Sequence, residues 1–131
     1  MRFLSIYKTA ETGVPPTPEH MARMGELIEQ SMRRGELVAT EGCLPSALGA
    51  RVRRDGTKVT VTDGPFTEAK ELIAGFAILQ ADSKEHAVEI AKRFLEVAGG
   101  GECELRQIFE SPEQLPDFSA AARASAERQP A

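Results

Sequence analysis

The chain contains no tryptophan, one tyrosine and only two cysteines in 131 residues. Its longest apolar stretch, Leu72 to Leu79, is far shorter than the roughly 20 residues that span a bilayer, so no transmembrane helix and no membrane partner are expected. Cys43 and Cys103 stand far apart with no CxxC spacing and cannot form a tetrahedral site alone; no metal and no cofactor is expected. Cations are not in excess either: 16 Lys and Arg against 20 Asp and Glu give −4 and a pI near 5.3, which argues against direct nucleic-acid binding. The beginning of the chain meets Lys8 before a signal-peptide apolar region can build, so a cytoplasmic protein is expected. No glycine-rich loop opens a helix, because Gly99-Gly100-Gly101 follows one, and no nucleophile elbow, HExxH or EF-hand pattern is present.

With 41% hydrophobic and 27% charged residues the composition is that of one ordinary globular domain. Residues 2–8 alternate as a strand with apolar character on both sides. Thr17-Pro18-Glu19 is a helix start, and the helix runs to about Arg34 with Met21, Met24, Leu27, Ile28, Ser31 and Met32 in one apolar arc that includes His20. Gly35 ends it, and residues 36–44 form a second strand. Asp55-Gly56 joins residues 50–54 and 58–62 as a polar hairpin projecting from the main sheet. Residues 72–80 read as a central strand, Ser83 caps a second helix and residues 103–110 are the last strand. Residues 111–131 lose strong periodicity and read as a frayed or disordered tail, leaving 1–110 as the domain. Without the hairpin the order is β-α-β-β-α-β, an α+β ferredoxin-like split βαβ fold with both helices on one face. The other face also carries large apolar residues, and a second copy is its simplest cover, giving a homodimer.

The segment Val59-Thr60-Val61-Thr62-Asp63-Gly64-Pro65-Phe66-Thr67-Glu68-Ala69-Lys70-Glu71 resembles the signature of the DGPF family within the YCII-related proteins. Gly35-Glu36-Leu37, Glu41-Gly42, Gly75-Phe76 and residues 104–110 extend the resemblance over about residues 1–110. It implies a ferredoxin-like domain in a dimeric α/β barrel, without a known reaction. Many members are encoded beside extracytoplasmic-function sigma factors, and a few resemble dehydrochlorinating enzymes. The YCII branch has a proposed histidine and aspartate pair. Residues 18–24 resemble the stretch carrying that histidine, which places it at His20; the branch's Asp-Pro partner is replaced here by Phe94-Leu95-Glu96-Val97.

His20 is therefore the candidate general acid or base, with Asp63 as its orienting carboxylate. A histidine in a first helical turn can equally well bond a backbone carbonyl. Glu68, Lys70 and Glu71, just ahead of a buried strand, could bind a polar group of a ligand or face another subunit, and Arg106 could present a cation to a carboxylate. As a turn, Asp63 would accept backbone N–H bonds and Phe66 would plug the core. His86 falls on the charged side of its helix and is expected to be solvated. Two functions follow: a cofactor-independent enzyme or small-molecule binder using a cleft between helix and sheet, or a noncatalytic regulatory module contacting a sigma factor.

Overall fold

Thr9 ends a first strand, β1 (Arg2–Thr9), whose Phe3 and Ser5 are buried while Leu4 and Ile6 on the opposite side are half-buried. The computed structural model describes residues 1–128. Helix α1 (Pro18–Arg33) starts where the Thr17 hydroxyl accepts the His20 N–H at 3.1 Å, and Gly35 ends it at φ +72°. Then come β2 (Leu37–Gly42), a 3-10 turn at Ser46–Leu48, and the strands β3 (Ala50–Asp55) and β4 (Lys58–Asp63). Strand β5 (Leu72–Gln80) leads into α2 (Lys84–Ala98), capped by Ser83, and β6 (Glu102–Gln107) follows. The end of the described chain is helical, α3 (Leu115–Arg128), although its apolar stripe is weak; residues 129–131 of the expected tail lie outside the described residues.

The main sheet has the order β2-β5-β1-β6 and every pairing is antiparallel. This is the ferredoxin-like arrangement, with β3 and β4 forming a separate two-stranded sheet. Register assigns the faces. Phe3 pairs with Leu79, Ser5 with Ala77 and Tyr7 with Gly75, and this side meets the helices through a core of Phe3, Leu79, Ala81, Ala87 and Ile90. Leu4 pairs with Ile78 and Ile6 with Phe76 on the other side. Cys43 follows β2 and Cys103 lies in β6, at opposite edges of the sheet, and both thiols are free.

Candidate functional site

On the helix side of the sheet, one row lacks side chains on two of its strands. Gly42 of β2 faces Gly75 of β5, which faces Tyr7 of β1. Gly75 is required there, because a Cβ would stand 2.8 Å from the Glu41 carbonyl oxygen. Gly42 is not so constrained: a Cβ at that position meets nothing within 4 Å. Above this bare row α1 and α2 enclose a cleft of about 270 Å³, walled by Met24, Leu27 and Ile28 of α1, Phe94 of α2, and Ala77 of β5.

Several polar groups around the cleft are already engaged. Tyr7 packs edge-on against Phe94, with centroids 4.9 Å apart, and its hydroxyl donates to the Gly100 carbonyl at 2.7 Å. The Thr40 hydroxyl donates to the Phe76 carbonyl at 2.9 Å. Burial pushes the Cys103 thiol up from its ordinary pKa, partly offset by a hydrogen bond with Ser5. Among the described residues no buried side-chain nitrogen or oxygen lacks a partner. Such a space suits an apolar body, because a polar ligand would lose its hydration and find few open partners.

Arg93 lines one part of the cleft and belongs to a charged cluster outside the expected site. Its guanidinium donates to both oxygens of Glu36 at 3.0 Å, and His86 Nε2 lies 2.8 Å from the same carboxylate. The Asp82 N–H donates to His86 Nδ1 at 3.0 Å, so a neutral His86 carries its proton on Nε2 and donates it to Glu36. This corrects the expectation of a merely solvated His86: the ring is half-buried and joins the start of β2 to α2. A sequence signal existed, since His86 and Arg93 stand two helical turns apart and therefore lie on one stripe. Their partner at Glu36 is distant in sequence.

The residues singled out from sequence do not form one site. The backbone N–H of His20 is tied to Thr17, its ring has no hydrogen bond among the described residues, and it does not line the cleft, whose α1 wall begins at Met24. Asp63 is exposed at the end of β4, and among the described residues its carboxylate accepts no backbone N–H, contrary to the expected turn. Glu68 binds Arg51 of the same chain, and this pairing holds its carboxyl below the usual range. Lys70 and Glu71 are exposed. Arg106 is exposed on β6, 3.5 Å from Glu104, and borders a shallow groove against α3.

The turn after β4 is instead a docking element. The Gly64 N–H donates to the Gly49 carbonyl at 3.0 Å, and the Phe66 N–H donates to the Ser46 hydroxyl at 3.2 Å. Glu11 holds Ser46 by two bonds, from its N–H at 2.7 Å and from its hydroxyl at 3.0 Å. Phe66 is half-buried and covered by the Arg51 guanidinium, 3.8 Å above the ring, so it does not plug the core as expected. Phe66→Ala should accordingly cost about 1.5 kcal/mol, below the roughly 3–5 kcal/mol of a fully buried phenylalanine. Urea denaturation checks this, and a loss above about 3 kcal/mol would place the ring in the core after all.

The profile of the YCII-related domain matches residues 1–112. No curated protein matches the chain. Among solved structures it is similar to CutA from Xylella fastidiosa, at 14% identity and a TM-score of 0.39 over 88% of this chain and 91% of that one. It is also similar to the divalent cation tolerance protein CutA1 from Thermus thermophilus, at 12% identity and a TM-score of 0.40 over 90% and 94% of the two chains.

Proposed function

The chain belongs to the YCII-related family, and from that premise we propose that it is a small-molecule-binding protein of the DGPF branch, whose ligand lies between α1, α2 and the sheet. The observation that carries this reading is the row Gly42–Gly75, which withholds side chains where two helices cross the sheet and leaves an apolar cleft unfilled. Binding is favoured over acid/base catalysis because neither His20 nor Asp63 lines that cleft. The alternative, a noncatalytic module that contacts a sigma factor, draws on the exposed β3–β4 hairpin but gives no reason for an unfilled interior. We also propose a homodimer, supported by Leu4, Ile6, Phe76 and Ile78, which share the sheet face away from α1 and α2 and are only half-buried.

Gly42→Leu is the discriminating variant. Its side chain starts in open space and fills the cleft, so stability should hold or rise by up to about 1 kcal/mol, because the glycine that ends β2 is replaced by a residue with less backbone freedom to lose. A screen of small apolar compounds by NMR should shift the amides of Tyr7, Gly75 and Ala77 in the natural protein and leave them unmoved in Gly42→Leu. If no compound shifts these amides at millimolar concentration, or if the leucine variant binds as well, the cleft is not the site.

A further inference from the structure

The β3–β4 hairpin is built unlike the remainder of the molecule. Every residue of both strands is exposed, and among the described residues no other strand or helix packs along it. An isolated two-stranded ribbon is marginally stable in water and ordinarily gains stability from a surface that covers one face. This ribbon has such a face. Val52 pairs with Val61, and Arg54 with Val59, so the three valines share one side, where Val52, Val61 and Val59 are 71%, 62% and 59% exposed. The opposite side carries Arg51, Arg53, Lys58, Thr60 and Thr62. At its root the ladder continues through the Gly64–Gly49 hydrogen bond, Arg51 reaches Glu68 and Phe66, and Ser46, just ahead of β3, is held to Glu11 by two bonds. A fixed root and an uncovered apolar side describe an arm held out for a partner.

Charge indicates which partner. Residues 50–63 hold four cations, Arg51, Arg53, Arg54 and Lys58, against Asp55 and Asp63, so they carry +2 and leave −6 on the rest of a chain whose total is −4. At one end of the main sheet Glu71, Glu102 and Glu104 surround Lys8, three acids about one cation. Ile73, paired with Lys8 across the strands, is 55% exposed at the same end. A basic arm with an apolar side and an acidic rim with an apolar centre are complementary, and one chain carries both.

We propose that the β3–β4 arm of one copy seats on the Ile73 end of the sheet of a second copy, its valines over Ile73 and Arg54, which shares their side, toward Glu71 and Glu102. The proposal rests on the homodimer reading and adds to it the element that reaches across. A two-fold axis then makes two identical arm contacts.

The test is the dimer dissociation constant from light scattering and sedimentation over a dilution series, using the 14.2 kDa chain mass as the monomer reference. Val52→Asp with Val61→Asp changes two exposed side chains and should raise that constant tenfold or more. A rise below tenfold, with a dimeric natural protein, overturns the arm and leaves the dimer standing. A natural protein that stays monomeric at 100 µM, on the order of the weakest affinity the reading allows, overturns both. Mixing a chain bearing Arg54→Glu with one bearing Glu71→Lys and Glu102→Lys should restore association that each lacks alone; no mixed dimer overturns the assigned seat. Should the aspartate variant fail to fold, hydrogen exchange on the natural protein decides. The ladder amides of β3 and β4 should exchange at least tenfold more slowly in the dimer than in the diluted monomer, and equal rates overturn the arm.

Discussion

Gly64→Ala should lower the stability of the fold by more than about 3 kcal/mol, the largest single-atom effect expected in this chain. A Cβ at this position would stand 1.7 Å from the carbonyl oxygen of Ser46 and 2.6 Å from its carbonyl carbon, so backbone must move. Neither side can yield cheaply. Gly64 is held to Gly49 and Phe66 to the Ser46 hydroxyl, while Ser46 itself is fixed by both oxygens of Glu11. Separation of the two segments would break the Gly64–Gly49 and Phe66–Ser46 bonds and release the root of the hairpin. Urea denaturation checks the value, with Gly42→Ala as a control that meets only open space. A loss under about 1 kcal/mol for Gly64→Ala would mean that the turn lifts off without consequence.

Glu36→Gln is expected to cost about 2 kcal/mol, by weakening the anchor that holds Arg93 and His86 at the helix–sheet junction. The value is set below that of a fully buried pair because the Arg93 and His86 side chains are 36% and 31% exposed, although Glu36 is only 13% exposed. Burial pushes the Glu36 carboxyl up, but hydrogen bonds from His86 and Arg93 outweigh it and hold the folded value below the ordinary 4.5. A carboxyl with a depressed folded pKa contributes stability at pH values above its unfolded pKa and loses it as pH falls through the folded one. The natural protein should therefore weaken on acidification below about pH 4.5, and the glutamine variant should weaken less over the same range. Parallel stability profiles for the two proteins would exclude Glu36 as an acid-sensitive contact.

The elements of the fold were legible because their signals are local. Thr17 and Ser83 cap helices that start beside them, and Asp55-Gly56 turns the hairpin between its own strands. The apolar arc of α1 gave direction but not depth. Met21 and His20 share that arc with Met24, yet the cleft wall begins only at Met24 and Met21 is exposed. A helical projection cannot tell which turns lie over the sheet. A cleft between helix and sheet is expected from the sequence, but its floor is not legible there for a related reason: Gly42 and Gly75 become one bare row only through the register of β2 on β5 and β5 on β1. The Glu36–His86–Arg93 cluster joins residues 50 and 57 positions apart, and no periodicity within either segment encodes the meeting. Asp63 and Glu68 drew notice as charges in a distinctive motif, whereas the motif's tightest constraint falls on Gly64 and its backbone.

The order β2-β5-β1-β6 also governs how the chain can be made. As the polypeptide leaves the ribosome, β1 and β2 are both present long before β5, but they are not neighbours, and each must wait for β5 to supply its hydrogen bonds. Until then the only strands able to pair are β3 and β4. The nascent chain therefore carries its first half with the apolar residues of β1 and α1 unsheltered, and the four-stranded sheet closes late, through contacts of high sequence separation. Insertion of β5 between two waiting strands joins three strands at once, so assembly of this domain is a late and collective event rather than a gradual one.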